Sequence, residues 1–286
     1  MNLENFQGVQ HILGVVNDLD TVVAQTATVD LYNNDLLTAY AKKYRQWITS
    51  TQLNTIKGLE QFETVGFSNG TTEAFDKFRI RHRNKRLRVL HDEYLYHKLY
   101  LGAENITSLS SLAHGDAVII SAPYARTGEI HPIMSDLLCE CDAKDIPVLI
   151  DCAYYGLCGN LTFDFDHPCI EDIAFSLSKV FGTSYYRIGI RFSRNTTDSL
   201  ADFGANGYVN RLAAAIGCDL LDRYDPDYLY TTYRSTQVDF CEQLSIAPSS
   251  SVIFGIDTAS AYQQQPRPDE LDRFCLSKYL VQGHLP

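Results

Sequence analysis

The stretch that decides the fold is residues 173–192, which read IAFSLSKVFGTSYYRIGIRF. It contains two apolar runs, 173–177 and 187–192, each typical of a strand buried in a sheet. Lys179 lies between them, ahead of the pair Phe181 and Gly182, and Arg187 follows the lysine by eight residues. A lysine held near a ligand at the end of a buried strand can lose its hydration and become a nucleophile, although most lysines are solvated surface charges.

Four more short apolar runs precede this stretch, at residues 64–67, 87–90, 117–121 and 147–150. Helical patterns separate them, and this alternation is typical of a mostly parallel sheet with helices on both faces. We therefore predict an α/β fold, a three-layer sandwich around a mostly parallel central sheet. Such sheets bind ligands beyond the carboxyl ends of their strands, so the residues that follow each run are the candidate site residues.

The remaining patterns divide the chain into three parts. Residues 1–60 are predicted as an N-terminal helical segment, and residues 61–234 as the large domain, which ends with a helix over 200–222 and a polar, tyrosine-rich stretch. Residues 235–286 hold one strand-like run, 251–256, a turn-rich segment, 263–268, and a last run, 271–281. They predict an abbreviated C-terminal subdomain.

Composition excludes several classes of protein. The 286 residues carry 24 Lys and Arg against 35 Asp and Glu, a formal charge of −11, which argues against a general nucleic-acid or anionic-membrane binder. No stretch approaches the ~20 apolar residues of a membrane span, and the start of the sequence lacks a secretory pattern. The eight cysteines have no CxxC pair, so we expect reduced thiols in a soluble, cytoplasmic protein.

The first predicted strand leads into Asn69, Gly70, Thr71 and Thr72. Gly70 permits a tight turn, and the threonines offer hydroxyls and free amides at a helix N-terminus, an arrangement that suits a phosphate group. The same residues are equally typical of a turn followed by a helix cap.

Asp151 follows the run 147–150 and precedes Tyr154 by three residues. A carboxylate at a buried strand end needs solvent, a paired charge or a cationic ligand. No histidine stands at metal-ligand spacing from it, so we predict no metal site.

Taken in order, these motifs resemble those of the fold type I pyridoxal-phosphate enzymes, and more narrowly the class I/II aminotransferases. The resemblance covers about residues 64–192. The motifs are the Gly-Thr turn, an aromatic residue after the next strand, Thr-Gly-x-x-x-Pro from Thr127, Asp-x-Ala-Tyr from Asp151, and Ser-x-Ser-Lys with the arginine eight residues further on.

The resemblance implies a role for each residue. Lys179 would form a Schiff base with pyridoxal phosphate and then move the α-proton of the substrate. Asp151 would pair with the pyridine nitrogen, Tyr154 would bind the phenolic oxygen of the ring, and Tyr94 would stack on the ring, unless it is only a packed tyrosine. The phosphate group would be held by Gly70, Thr71, Thr72, Ser176 and Arg187.

Two features depart from the family pattern. Where the family has Asn-Pro-Thr-Gly, this sequence has Ala125, Arg126, Thr127 and Gly128, so the asparagine that would share the phenolic oxygen with Tyr154 is absent. Arg126 faces either the substrate or solvent. Only 107 residues follow Lys179, which implies an abbreviated substrate-covering domain.

In the family, that domain supplies an arginine that binds the substrate carboxylate. Arg273 is the candidate here, with an ordinary surface arginine as the alternative. The resemblance also implies a homodimer with shared active sites, in which an N-terminal tyrosine reaches the phosphate group of the partner subunit. Tyr32 is the candidate for this role, and Tyr40 and Tyr44 compete with it.

The predicted function is therefore a pyridoxal-phosphate-dependent aminotransferase that acts on amino-acid and keto-acid small molecules. The alternatives are another reaction of the same cofactor, namely decarboxylation, elimination or replacement, racemisation or cyclisation, or a catalytically silent protein of the same fold. A basic run at residues 79–88 runs against the acidic average and is either a solvated helix end or a local patch for an acidic partner.

Overall fold

The structure, a computed structural model, describes residues 19–195, 197–258 and 272–285. The helices are α1 (Leu19–Gln25), α2 (Asp35–Thr49), α3 (Thr71–Arg81), α4 (Leu95–Leu101), α5 (Met134–Ala143), α6 (Ser199–Ala205), α7 (Arg211–Arg223), α8 (Tyr228–Gln243) and α9 (Ser277–Gln282). The strands are β1 (Thr55–Lys57), β2 (Thr64–Asn69), β3 (Arg86–Val89), β4 (Glu104–Asn105), β5 (Asp116–Ser121), β6 (Val148–Cys152), β7 (Thr162–Asp164), β8 (Ile170–Ser176), β9 (Ile188–Ser193), β10 (Ala247–Pro248), β11 (Phe254–Ile256) and β12 (Arg273–Cys275).

The centre of the fold is a seven-stranded sheet in the order β2-β9-β8-β6-β5-β3-β4. The pairs from β8 to β4 are all parallel, whereas β9 is antiparallel to both β8 and β2. Strands β5, β6 and β9 are buried along their whole length, as expected of strands covered on both faces. The predicted α/β fold with a mostly parallel sheet is confirmed.

All six apolar runs predicted as strands are strands of this sheet, with ends that differ by at most three residues. The largest local difference that matters for function is in β6. This strand continues to Cys152, so Asp151 is its penultimate residue and does not follow it. The aspartate is therefore fixed by sheet hydrogen bonds and not by a loop.

The single helix predicted over 200–222 is wrong, because the chain forms two helices, α6 and α7. Gly207 lies between them with φ of 73°, a left-handed conformation that residues with a Cβ rarely adopt. Asn210 then caps α7 by accepting a hydrogen bond from the amide of Ala213. The chain therefore leaves the helical conformation at Gly207, and α7 begins after Asn210.

The tyrosine-rich stretch after this region forms α8, which the sequence analysis did not identify as a helix. Its side of the molecule also holds α9 and the small antiparallel sheet β10-β11-β12. A separate apolar cluster of Phe240, Cys241, Leu276 and Leu280 lies there. The predicted boundary between residues 234 and 235 falls inside α8, so that helix belongs to both predicted parts.

The basic run at 79–88 lies at the amino edge of the sheet, where the parallel strands begin. Arg81 pairs with Asp172 and Asp198, and its side chain is only 17% exposed. Arg88 is buried and lies 3.6 Å from the carboxylate of Asp116. The interpretation of the run as a solvated helix end is wrong for these two arginines, which neutralise buried aspartates of the sheet.

Among the described residues, no helix combines the length and apolar character that a membrane crossing requires. The eight cysteines are unpaired, and five of them are buried. Residues 1–18 of the predicted N-terminal segment and the turn-rich segment 263–268 lie outside the described residues.

Candidate active site

The predicted site residues come together at the carboxyl edge of the sheet. Asp151 is at the end of β6, and Lys179 lies in the turn after β8. Thr71 begins α3 directly after β2, and Tyr94 precedes α4 in the loop after β3. Four chain segments that are distant in sequence therefore place polar side chains at one edge of the sheet, where ligands bind to sheets of this kind.

Asp151 is the most buried of these groups, with 6% of its surface exposed. Its Oδ1 accepts a hydrogen bond from the amide of Ala153 at 3.0 Å, and the hydroxyl of Thr71 also bonds to the carboxylate. Burial and the nearby carboxylate of Glu93 raise the pKa of Asp151 to about 7, against the opposing effects of these hydrogen bonds and of Lys179. Its carboxylate forms no ion pair with any cation of the described residues, so a cationic ligand would stabilise it.

Lys179 is half-buried in the turn 177–180. Its ammonium group acts on Asp151 through its charge, which shows that the two side chains are near one another. Within the described part of the chain, its Nζ has neither a hydrogen bond nor an ion pair. The amine is thus held close to the buried aspartate without being engaged by it.

Gly70 and Arg187 form a second part of the site, at the start of α3. Gly70 has φ of 75°, and a Cβ at this position would lie 2.6 Å from Nη2 of Arg187. The same Nη2 donates to the carbonyl of Asn69 at 2.8 Å, and Nη1 donates to the carbonyl of Ser184 at 3.3 Å. The absence of a side chain at Gly70 therefore lets the guanidinium lie against the N-terminus of the helix, where backbone amides and a positive dipole favour an anion.

Ser176 and Thr72, which are also predicted phosphate ligands, have other surroundings than Gly70 and Arg187. The hydroxyl of Ser176 is buried and donates to the carbonyl of Ile188 at 3.1 Å, within the loop that carries Lys179. It also bonds to the hydroxyl of Ser178. Thr72 is half-buried in the first turn of α3. Ser176 thus orders the lysine loop, while Thr72 lies at the helix start.

The two predicted aromatic residues are both at this edge. The pKa of the Tyr94 hydroxyl is raised by burial first, then by Asp151 and Tyr154, while Arg187 lowers it. Tyr94 therefore lies near all three of these groups. Its ring is 42% exposed and stacks on that of Tyr96, with 5.9 Å between the ring centroids.

Tyr154 connects the site to the C-terminal part of the chain. Its ring centroid is 5.8 Å from that of Phe254 and 6.0 Å from the guanidinium carbon of Arg273. Arg273 is buried, lies 4.6 Å from the Phe254 ring centroid and donates to the carbonyl of Ala125. The predicted carboxylate-binding arginine thus lies beside a predicted cofactor residue, and its burial argues against a surface position.

Arg126 has a different environment. Its Nη1 lies 3.2 Å from Asp92, and its Nη2 donates to Asp272 at 2.5 Å. The side chain is 37% exposed, and its two terminal nitrogens bridge the loop after β3 to the strand that holds Arg273. This arrangement ties two parts of the chain together at the rim of the site.

Of the three N-terminal tyrosines, only Tyr32 could reach another molecule. It is 94% exposed, whereas Tyr40 and Tyr44 are buried in the core beneath α2. Tyr40 donates to the carbonyl of Gly189 at 3.2 Å. Tyr32 is therefore the exposed candidate among the three.

One residue of the site was not identified from the sequence. Glu93 is 3% exposed and accepts a hydrogen bond from the amide of Ser121 at 2.8 Å. Its position directly before Tyr94 was visible, but its burial depends on the contact with Ser121, 28 residues further along the chain. No local pattern encodes that contact.

No family model matches the sequence, and no curated protein matches it. Several solved structures, however, are similar to this chain. The tyrosine aminotransferase of Leishmania infantum is 14% identical, with a TM-score of 0.68, over 98% of this chain and 94% of that one. A double mutant of the aspartate aminotransferase of Thermus thermophilus is 12% identical, with a TM-score of 0.66, over 93% and 86%.

An aminotransferase of Staphylococcus aureus is also similar, with 12% identity and a TM-score of 0.61, over 93% of this chain and 88% of that one. The likeness at these identities establishes the fold. The chain has the fold of the aminotransferases, which is fold type I of the pyridoxal-phosphate enzymes, as the motifs predicted.

Proposed function

We propose that this chain is a pyridoxal-phosphate-dependent aminotransferase that acts on an amino acid, with Lys179 as its nucleophile. The observation that carries the proposal is the proximity of Lys179 to a buried Asp151 that forms no ion pair within the described residues, at the carboxyl edge of the sheet. When bound, pyridoxal phosphate supplies an electron sink that stabilises a carbanion at the substrate α-carbon.

The residues present fit such a cofactor. Asp151 is a buried carboxylate in need of a cationic partner, and a protonated pyridine nitrogen is one. Arg187 and the space left at Gly70 offer a guanidinium and backbone amides to a phosphate group. A ring between these two anchors would meet Tyr94, which lies near both Asp151 and Arg187.

Lys179 has two tasks in this proposal. Its neutral amine would hold the cofactor covalently through the carbonyl group, with release of one water. Its free Nζ would take the α-proton of a bound amino acid and return it, as a general base and then a general acid. The neighbouring Ser176 orders the loop that holds this lysine through its hydrogen bond to Ile188.

Tyr154 would bind the phenolic oxygen of the cofactor without the asparagine that the family usually has, since Ala125 offers no side-chain donor. We assign the substrate carboxylate to Arg273, which is buried beside Tyr154. Arg126 is the second candidate, at the rim of the site, where its terminal nitrogens pair with Asp92 and Asp272.

The proposal includes a homodimer in which Tyr32 of one chain reaches the phosphate group bound by the other. The 94% exposure of Tyr32 supports this, since the side chain has little contact with its own chain. Amino acids and keto acids are the proposed substrates, and the cytoplasm is the proposed compartment. We keep the division into residues 61–234 and 235–286 as a proposal: the apolar cluster of Phe240, Cys241, Leu276 and Leu280 supports it, although the boundary lies inside α8.

The test is a half-reaction. The chain is loaded with pyridoxal phosphate and mixed with single amino acids in the absence of any keto acid, while the absorbance of the cofactor is followed. We expect conversion to the pyridoxamine form with at least one amino acid. Lys179→Ala abolishes the conversion, while Lys42→Ala, an exposed lysine on α2, leaves it unchanged.

Consumption of an amino acid with the cofactor left in its aldehyde form would instead identify another pyridoxal-phosphate reaction. Absence of any spectral change with all common amino acids would contradict the proposal and favour a catalytically silent protein of this fold.

A further inference from the structure

Glu93 is a buried carboxylic acid for which the proposed reaction has no evident use. It lies in the loop after β3 with 3% of its surface exposed. Ser121 contacts both of its oxygens: Oε1 accepts from the amide of Ser121 at 2.8 Å, and Oε2 accepts from its hydroxyl. The backbone of Tyr94 also bonds to the carboxylate. In the described part of the chain, Glu93 forms no ion pair.

The sheet brings Glu93 beside Asp151. Ser121 is the last residue of β5, and in the parallel register it is the partner of Asp151 on β6. A carboxylate bonded to Ser121 is therefore next to the end of β6. Two neighbouring carboxylates in a buried site cannot both be ionised without a large free-energy cost. The first proton of the pair therefore dissociates at a much lower pH than the second.

The groups that face Glu93 do not relieve this conflict. Asp92 adds a further negative charge, and burial together with this charge raises the pKa of Glu93 to about 7, although the bonds from Ser121 oppose the rise. The hydroxyl of Tyr124, which bonds to Asp92, is also near Glu93. Each of these neighbours is either neutral or negative, so none of them stabilises the ionised form of Glu93 through its charge.

The groups that face Asp151 favour its ionised form by comparison. Lys179 contributes a positive charge, and the hydroxyl of Thr71 donates a hydrogen bond. Tyr94 is neutral, because burial raises its pKa. His97, which lies 5.8 Å from the Tyr94 ring, is also neutral, since burial lowers its pKa to about 3.

We propose that Glu93 is a positioning residue for the cofactor: Glu93 and Asp151 hold one proton between them in the free chain, and Glu93 keeps that proton when Asp151 receives the pyridine nitrogen. This inference rests on the proposed function for its second half only. The pair then carries a single negative charge, which matches a single cationic ring nitrogen.

The first half is tested on the cofactor-free full chain by ¹³C NMR titration of the side-chain carboxyls, with Asp151→Asn to assign the Asp151 signal. We expect the wild-type pair to titrate in two separated steps. In Glu93→Gln, which keeps the size and the bond from the Ser121 amide, the Asp151 midpoint falls by about one pH unit or more, because the like charge is gone. Glu140→Gln on α5, the matched control, leaves the midpoint unchanged.

A second variant covers the case in which Glu93→Gln does not fold. Ser121→Ala removes the hydroxyl that helps to hold Glu93 in its ionised form. Glu93 then keeps the proton more firmly, and the Asp151 midpoint falls by a smaller amount. An unchanged Asp151 midpoint in either folded variant would overturn the inference.

The second part of the inference, that Glu93 keeps the proton when the cofactor is bound, is tested with pyridoxal phosphate as the probe. We expect the pH midpoint of its dissociation constant to move down in Glu93→Gln by the same amount as the Asp151 midpoint. A midpoint that does not move overturns the link between the pair and the cofactor. A wild-type chain that shows a coupled pair but does not bind pyridoxal phosphate contradicts the proposed function and leaves the shared proton intact.

Discussion

The two edges of the central sheet both bury aspartates but treat them in opposite ways. At the amino edge, Asp172 pairs with Arg81 and lies 3.7 Å from Arg191, all within one network. At the carboxyl edge, Asp151 and Glu93 are also buried, yet within the described residues neither forms an ion pair. The buried aspartate of the amino edge is therefore paired by the chain itself, whereas the carboxyl edge has an excess of negative charge that a cationic ligand would relieve.

This difference separates structure from function within one sheet. Buried charges that are paired by their own chain stabilise the fold only so long as both partners are present. Buried charges that the chain leaves unpaired cost stability, and such a cost is typical of sites that bind a ligand. The same substitution should thus have opposite effects at the two edges.

The largest effect is expected for Asp172→Asn at the amino edge. The change removes a fully buried carboxylate that pairs with Arg81 and lies 3.7 Å from Arg191, while Arg191 keeps its pair with Asp198. Breaking a buried pair in this way costs about 3 kcal/mol or more. Urea unfolding of the cofactor-free chain at pH 7.5, followed by circular dichroism, measures the loss. A loss below about 1 kcal/mol would mean that the amino-edge network does not stabilise the fold as this contrast requires.

The matched change at the carboxyl edge is Asp151→Asn. Because it removes an unpaired buried charge, we expect the cofactor-free chain to keep its stability or gain about 1 kcal/mol at pH 7.5. The same variant should bind pyridoxal phosphate at least about tenfold more weakly, since the ring nitrogen loses its counter-charge. A destabilised variant that still binds the cofactor tightly would reverse the proposed roles of the two edges.

The effect of Asp151→Asn on stability should depend on pH near neutrality, in contrast to an effect that comes from a paired carboxylate. The pKa of Asp151 in the folded chain is raised to about 7, above its ordinary value. The folded state therefore binds more protons than the unfolded state between about pH 4 and pH 7, and this contribution to stability is lost as the pH rises through the folded pKa. We expect the stability of Asp151→Asn relative to the wild type to rise by about 2 to 3 kcal/mol between pH 5 and pH 8. Parallel urea curves at five pH values measure the difference, and a constant difference would contradict the raised pKa.

The smallest effect is expected at the rim of the carboxyl edge. Arg126 bridges Asp92 and Asp272 with a side chain that is 37% exposed. Partly exposed ion pairs of this kind are worth about 0.5 kcal/mol, so Arg126→Ala should shift the urea midpoint only slightly. A loss of stability comparable to that of Asp172→Asn would show that the Arg126 ion pairs stabilise the fold as strongly as the pairs at the amino edge.

The sequence predicted the parts of the fold that depend on continuous local patterns. Strands such as β5 and β6 are uninterrupted apolar runs, so their positions could be predicted to within three residues. The break between α6 and α7 was missed because the helical pattern continues across Gly207, whose left-handed conformation ends it. Helix α8 was missed because its buried face includes a glutamine, Gln237, which binds the carbonyls of Ser249 and Phe254.

The candidate site shows the same division. Asp151 and Lys179 stand at strand ends, where the position along the chain alone indicates a function. Glu93 and the pairing of Arg81 with Asp172 depend on contacts between distant segments, which a single sequence does not encode locally. Such a contact turned the basic run from a predicted surface feature into part of the core.

The central claim is that the carboxyl edge is built to hold pyridoxal phosphate on Lys179. The most direct measurement is reductive trapping, in which the chain is incubated with pyridoxal phosphate, reduced with borohydride, digested and mapped by mass spectrometry. Borohydride converts the carbon–nitrogen double bond of a Schiff base into a stable amine linkage, so the attachment site is preserved. We predict one phosphopyridoxyl group per chain, on the peptide that contains Lys179, and its absence from Lys179→Ala. An unmodified Lys179, or a label spread over exposed lysines such as Lys42, would contradict the claim.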